Sequence, residues 1–183
     1  MKSPFYINFI PIITLTGGRM FTFPKEVTNI FFSFIYGNLT IKEFEEWIYI
    51  YEYLESSIGS DNYNALLDFD YWFYGTEYEL EELIKSLYKK SVLEIDKEHV
   101  IWILNNVLDG TCDPVIGCRE LTYLRSFENG YDYIPILFVG YDSVIEDVEY
   151  HYRDDFIERN KIIRNYSDQI IELSKKFLYD LNL

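Results

Sequence analysis

Apolar side chains recur every three or four positions along most of the chain, which is the spacing of an amphipathic α-helix. The clearest instance begins at Thr40-x-x-Glu43, a capping box, and ends at Gly59, a residue suited to the left-handed stop of a helix. The apolar positions between them are Phe44, Trp47, Ile48, Tyr51 and Leu54. This pattern predicts one helix over 41–58.

Further helices follow from the same combination of caps and spacing. Thr76-x-x-Glu79 is a second capping box, and the acids after it and the lysines that follow suit the dipole of a helix. Asp96 is placed to cap the next helix, which Asp109-Gly110 closes. One additional helix is predicted to begin with Pro24 in its first position and another to begin at Ser60. The others cover 77–90 and 97–108, open at Asp113-Pro114, and cover 167–181.

Two segments depart from helical spacing. Residues 133–139 are short, apolar and rich in β-formers, and periodicity does not separate a buried strand from a buried extended connection. Residues 1–20 contain an apolar run interrupted by Pro11 and are predicted to be an extended segment that packs on the helices. A signal peptide is the alternative, although a single Lys precedes the run and no clean cleavage site follows it.

The whole chain is predicted to form one domain. Its 183 residues are a usual domain size, and no repeat, low-complexity tract or linker marks a boundary. Hydrophobic residues make up 49% and aromatic residues 19%, a composition that excludes the disordered class. The expected fold class is therefore mainly α: a single helical domain over 1–183 with short extended segments near the N-terminus and around 133–139.

The net charge of −15 bears on function more than any motif does. A field of this sign repels nucleic acid and anionic membranes and attracts a basic protein, although a charge that only serves solubility is the alternative. Residues 40–90 hold 12 acids and 4 bases, and residues 128–155 hold 8 acids and 1 base. If the two stretches fold against each other, they form one acidic surface with aromatic side chains, which suits the docking of a basic partner.

The candidate partner-binding residues come from these two stretches. They combine acids, which steer an approaching partner, with aromatic side chains of the segment 68–75, where the helical pattern breaks. Paired carboxylates beside aromatic rings also occur in glycosidase subsites, but a turn whose acids face water is the preferred interpretation. The predicted residues are Asp68, Asp70, Trp72, Tyr74, Glu77, Glu81, Glu82, Asp142, Glu146, Asp147 and Glu149.

No motif indicates a catalytic chemistry, and no cofactor or metal site is predicted. His99 falls in the first turn of a predicted helix, where a solvated imidazole is expected. His151 lies among acids that can bind a metal or form an acid–base pair, but no second His or Cys stands near it, so a solvated acidic face is preferred. Cys118 is expected to be a core thiol, and the lack of a CxxC motif with Cys112 fits a reducing cytoplasm.

Four blocks of sequence carry a resemblance to a known family: 44–55 (FEEWIYIYEYLE), 63–71 (YNALLDFDY), 108–118 (LDGTCDPVIGC) and 133–142 (YIPILFVGYD). They resemble small acidic immunity proteins encoded beside bacterial polymorphic or contact-dependent toxins. The first 20 residues lie outside this resemblance. It implies a non-enzymatic inhibitor that covers the active site of a toxin, commonly a nuclease, and it assigns no individual binding residue.

The working hypothesis is a cytoplasmic immunity protein that binds and neutralises a basic toxin domain and is not an enzyme. One alternative is a metal-dependent enzyme that uses the acidic cluster around His151. Another is an acidic adaptor, or a DNA mimic that binds a nucleic-acid-binding protein. The product of the neighbouring gene separates these hypotheses best.

Overall fold

A computed structural model describes residues 21–73, 75–126 and 130–181, and in these ranges the chain consists of helices, turns and loops without a strand. The predicted mainly α-helical fold is therefore confirmed. The predicted extended segment over 1–20 lies outside the described residues. The helices are α1 Lys25–Ile35, α2 Ile41–Ile50, α3 Leu54–Ile58, α4 Ser60–Leu67, α5 Glu77–Leu87, α6 Val92–Asp109, α7 Pro114–Ser126, α8 Leu137–His151 and α9 Phe156–Leu181.

None of the described helices combines the length and the apolar character needed to cross a membrane.

Helices α1 and α6 form the centre of the core. Phe31 and Phe32 of α1 and Leu104 of α6 are fully buried. Helix α1 packs on α2 and α5, whereas α6 packs on α7 and α9. The two central helices meet through Trp102, whose ring lies 5.8 Å from that of Phe32 and whose Nε1 donates to Asn29 Oδ1 at 2.8 Å. One core therefore joins an α1–α5 half to an α6–α9 half.

His99 lies in this central contact and not in solvent, which corrects the expectation from the sequence. The residue is 3% exposed, its ring stacks on that of Tyr36 with centroids 3.3 Å apart, and Trp102 stacks at 5.6 Å. Within the described part of the chain, neither ring nitrogen has a hydrogen-bond partner. Burial lowers the pKa of His99 to about 3, so the imidazole is neutral at physiological pH.

The position of His99 follows from where α6 begins. The helix starts at Val92, five residues before the predicted start, because Ser91 and Glu94 form its cap. The Glu94 carboxylate accepts hydrogen bonds from the Ser91 hydroxyl at 2.7 Å and the Ser91 N–H at 3.0 Å, and these bonds lower the pKa of Glu94. Asp96, the predicted cap, lies inside the helix. The predicted stop at Gly110 is confirmed by its left-handed φ of 78°.

The two capping boxes predicted from the sequence differ in outcome. The first forms: the Glu43 N–H donates to Thr40 Oγ1 at 3.3 Å, and the Glu43 carboxylate accepts from the Thr40 N–H at 2.9 Å. The second does not form, because the backbone of Thr76 is already helical and its hydroxyl donates to the Phe73 carbonyl at 3.0 Å. The helix after it ends at Leu87 and not at 90.

The helix predicted over 41–58 is two helices in the structure. Tyr51 takes an extended conformation with φ −87° and ψ 94°, and its ring stacks on Trp47 at 5.1 Å. Helix α3 then begins at Leu54, which is fully buried. Because the apolar spacing continues across the break, periodicity alone does not reveal it.

The extended segment predicted around 133–139 is corrected in its second half. Residues 133–136 are a non-helical connection, whereas Leu137 begins α8. The apolar run is the start of a longer amphipathic stripe, since Phe138, Ile145 and Val148 lie on one buried face. A short apolar window does not distinguish this from a buried strand.

The last helix begins a full three turns before its predicted start at 167. Asp155 caps it by accepting the Glu158 N–H at 3.0 Å, and α9 continues unbroken from Phe156. The Asn165-x-x-Asp168 pattern therefore lies within the helix and does not cap it.

Candidate functional site

The segment 68–76 between α4 and α5, called the aromatic loop below, presents two large apolar side chains to solvent. Trp72 is 85% exposed and Phe73 is 71% exposed. Side chains of this size dominate the energetics of cores and interfaces, and two adjacent ones on one loop form an exposed apolar patch. The aromatic loop is therefore the candidate site. Tyr74, which was also predicted to bind a partner, lies outside the described residues.

Tyr71 fixes the aromatic loop from the inside. Its side chain is 8% exposed, its hydroxyl donates to the Leu66 carbonyl at 2.7 Å, and Phe69 meets it edge-on at 5.1 Å. Burial raises the pKa of Tyr71, with smaller contributions from Tyr49 and Glu45 of α2. The hydroxyl therefore stays protonated as a donor, and α2 lies beside the loop.

Hydrogen bonds on both sides of Trp72 fix the backbone of the loop. The Asp70 carboxylate accepts the Trp72 N–H at 3.1 Å, and the Thr76 hydroxyl donates to the Phe73 carbonyl at 3.0 Å. Gly75 has a φ of 86°, in the left-handed region that glycine adopts without steric penalty. These contacts hold Trp72 and Phe73 outward while Tyr71 points inward.

Other exposed apolar side chains of the same acidic stretch lie on α2, on α5 and in the turn before α3. Together with the two residues of the loop they are called the aromatic surface: Tyr49, Ile50, Tyr53, Trp72, Phe73 and Tyr78. Sequence reasoning selected only Trp72 of this set. A signal for three others was present, because Tyr49, Ile50 and Tyr53 fall between the inward-facing positions of the 41–58 pattern.

The part of the chain that contains the aromatic surface is strongly acidic and has a lysine at each end. Between Lys42 and Lys85 the chain contains 12 acids and no base. Among the acids predicted to bind a partner, Asp68, Asp70 and Glu77 are exposed on the aromatic loop and at its end. A mainly negative field around exposed aromatic rings attracts a cationic surface and discriminates against an anionic one.

Comparison with known proteins reveals no relative. No protein-family model, curated protein or solved structure matches the chain. The functional conclusion therefore depends on the geometry and charge of the aromatic surface.

Two further predicted acids of the first stretch are partly neutralised. Glu81 and Glu82 of α5 lie 2.5 Å and 3.3 Å from Lys85 Nζ. Both carboxylates remain on the helix surface, but the lysine cancels part of their field at short range. They are weaker candidates for partner contacts than the acids of the aromatic loop.

Asp142, which was predicted to bind a partner, is buried between two helices and is not on the surface. Its side chain is 13% exposed and lies 3.4 Å from Arg119 of α7, which also contacts Glu149 at 2.5 Å. Asp142 and Glu149 therefore hold α8 against α7. The other two predicted acids on α8, Glu146 and Asp147, are exposed.

Among the described residues, the main helix contacts of the two acidic stretches are with other elements and not with each other. Helix α5 packs on α1, whereas α8 packs on α7 and α9. The stretches belong to different halves of the molecule. The acids of the aromatic surface therefore come from residues 40–90 alone.

Neither cysteine has the properties of a nucleophile. Cys118 is fully buried, as predicted, and its thiol donates to the Phe138 carbonyl at 3.2 Å. Burial raises the pKa of Cys118 to about 12 and that of Cys112 to about 11. Both thiols are free and protonated at neutral pH, and the thiolate is the reactive form.

The surroundings of His151 do not favour the alternative of a metal-dependent enzyme. The side chain is exposed, and its Nδ1 lies 2.8 Å from the carbonyl oxygen of Asp147, within its own helix. In the described ranges, no three His, Cys, Asp or Glu side chains form a group that could hold a metal ion. The acids near His151 are better described as a solvated helix end.

Proposed function

We propose that the chain is a cytoplasmic immunity protein that binds a basic bacterial toxin domain through the aromatic surface and covers its active site. The observation that carries this proposal is the exposure of Trp72 and Phe73 on a hydrogen-bonded loop within a stretch that contains 12 acids and no base. The aromatic rings supply apolar burial on binding, and the acids supply steering and discrimination.

The charge of the surface favours a toxin that acts on nucleic acid. A nuclease needs a basic active-site surface to hold phosphates, and an acidic inhibitor complements that surface directly. Occlusion of such a site requires binding only. This agrees with a candidate site made of aromatic and acidic side chains, and the chain is accordingly proposed to have no catalytic activity.

The proposal is tested with the toxin domain encoded beside the gene of this chain. Co-expression of the chain should allow cells that make the toxin domain to survive, and the purified proteins should form a one-to-one complex whose association rate falls with added salt. The matched control is the toxin domain of an unrelated toxin with a similar net charge, which should neither bind nor be neutralised. A chain that neither binds its neighbouring toxin domain nor protects the cell contradicts the proposal.

A further inference from the structure

We infer that Trp72 and Phe73 are a preformed anchor that enters an apolar pocket within a basic surface of the partner, and that Tyr71 is the residue that positions this anchor. The inference rests on the proposed function and deepens it, because it names the contact residues and the shape of the surface that they recognise.

The aromatic residues of the loop divide between the core and the solvent. Tyr71 is buried and Phe69 is half-buried, whereas Trp72 and Phe73 point outward. Each outward ring carries roughly 150–250 Å² of surface that burial would remove from water. Adjacent side chains of similar character thus have opposite environments, and the loop backbone decides which ones remain exposed.

Three hydrogen bonds hold the backbone of the loop in the free protein. The Tyr71 hydroxyl fixes the loop to the last turn of α4, the Asp70 carboxylate fixes the backbone at Trp72, and the Thr76 hydroxyl fixes it at Phe73. Ordering of a loop on binding reduces affinity, and a loop that is already ordered avoids most of this loss. Two exposed rings on a fixed backbone are therefore suited to insertion and not to wrapping around a partner.

The carboxylates beside the anchor determine the chemistry of the partner that fits it. The anchor is followed and preceded by exposed carboxylates at Asp68, Asp70 and Glu77. An apolar pocket surrounded by Lys or Arg side chains complements both features, since the rings fill the pocket and the acids meet its rim. A pocket with an acidic rim is excluded by repulsion, which gives the surface its specificity.

The test measures association and dissociation rates of the full-length chain with the neighbouring toxin domain. Trp72→Ala and Phe73→Ala should each raise the dissociation rate by about 30-fold, the size expected for a central hot spot, and should leave the association rate within about twofold. Tyr150→Ala is the matched control, because Tyr150 is also an exposed aromatic side chain near acids but lies on α8. Its dissociation rate should equal that of the unmodified chain.

The positioning role of Tyr71 is tested by a double-mutant cycle. Tyr71→Phe keeps the buried ring and removes only the hydrogen bond to Leu66, so the dissociation rate should rise several-fold when Trp72 and Phe73 are present. In the chain that already lacks both anchor rings, the same substitution should have no effect on dissociation, although its small effect on the melting temperature should persist. A purely structural role would give equal effects on dissociation in both backgrounds.

The outcomes separate this inference from the proposed function. If the anchor variants protect cells and dissociate at the unmodified rate, the anchor is wrong and the immunity function stands. If the unmodified chain neither binds nor protects, both proposals fail. The anchor variants should fold, because both substituted side chains are exposed, and circular dichroism with thermal melting confirms this before the kinetics are measured.

Discussion

The two acidic stretches of this protein have similar net charges and different surroundings. Residues 40–90 carry −8 and residues 128–155 carry −7. In the first stretch, exposed acids accompany exposed aromatic rings in a segment without a base between Lys42 and Lys85. In the second, the acids divide: Arg119 of α7 contacts both Asp142 and Glu149 and joins neighbouring helices, whereas Glu146 and Asp147 remain exposed, as does the ring of Tyr150.

This difference shows that the net charge of a stretch does not tell which carboxylates are available to a partner. An arginine on an adjacent helix cancels the field of a carboxylate at short range and makes that carboxylate part of the packing. An exposed carboxylate beside an aromatic ring retains its long-range field. We therefore propose partner recognition for the α1–α5 half, whereas the ion pairs of Arg119 join helices within the α6–α9 half.

The largest expected effect concerns the contact that joins the two halves. His99 has a folded-state pKa of about 3, below the ordinary value of 6.5 given by the unfolded chain, so the unfolded chain binds more protons between these values. Stability should therefore fall as the pH falls below 6.5, by about 2 kcal/mol between pH 7 and pH 5. Chemical denaturation at both pH values measures this change.

The controls for the pH experiment separate His99 from both acidic stretches. His99→Phe should abolish most of the pH dependence, whereas His151→Gln should leave it intact because His151 is exposed. Equal free energies of unfolding at pH 7 and pH 5 in the unmodified chain would show that the central contact is not sensitive to acid. Binding in the two regions is best compared near neutral pH, where this effect is small.

Charge reversal tests the assignment of recognition to the first stretch. Glu52→Lys with Glu77→Lys should slow association with the toxin domain by about tenfold at low salt and flatten its salt dependence, because steering acts through the long-range field. Glu146→Lys with Asp147→Lys changes the net charge equally on α8 and should slow association much less. All four side chains are exposed. If the two pairs of substitutions slow association equally, recognition is not specific to the first stretch.

Ion-pair removal tests the assignment of packing to the second stretch. Arg119→Ala leaves the nearly buried Asp142 without its cationic partner, and the free energy of unfolding should fall by about 1 kcal/mol, a value reduced by the partial exposure of Arg119. Lys85→Ala removes only surface pairs with Glu81 and Glu82 and should lower it by about 0.5 kcal/mol or less. Thermal and denaturant melts measure both. A larger loss of stability in Lys85→Ala than in Arg119→Ala would contradict the packing role of the Arg119 ion pairs.

The smallest expected effect concerns added metal. Near-stoichiometric Zn²⁺ or Mn²⁺ should shift the melting temperature by less than about 1 °C, since His151 stands on an exposed helix end without a surrounding ligand set. A saturable shift of several degrees that disappears in His151→Ala would instead support the metal-dependent enzyme. It would also give the second stretch a role beyond packing.

Local signals were sufficient to predict much of the fold. Thr40 and Glu43 form the predicted capping box, Asp113-Pro114 opens a helix, and Gly110 ends one in the left-handed conformation. Each of these features depends on hydrogen bonds and backbone geometry within a few residues. The helical class follows from them, because helix formation is governed by local spacing and caps together with an amphipathic face.

Local signals failed where a competing contact lies elsewhere. Ser91 and Glu94 provide a cap that replaces the one predicted at Asp96, and Tyr51 leaves the helical conformation while its ring stacks on Trp47. The apolar run over 133–139 has the same local composition as a strand, but from Leu137 onward it is helical and its stripe continues to Val148. In each case the spacing of apolar residues along the chain fits both the predicted structure and the observed one.

The sequence by itself determined the helical class, the single domain and the negative charge, since these depend on composition and on spacing within a few turns. It also selected Trp72 and the acids around it as candidates, and the structure places Trp72, Asp68, Asp70 and Glu77 on the surface. Only the tertiary structure decided which carboxylates are available and which aromatic rings are exposed. Asp142 forms an ion pair with Arg119, 23 residues earlier in the chain, and is buried there. Trp72 points outward next to Tyr71, whose hydroxyl donates a hydrogen bond to the Leu66 carbonyl. Burial and ion pairing are properties of neighbours in space, and a pattern along the chain does not contain them.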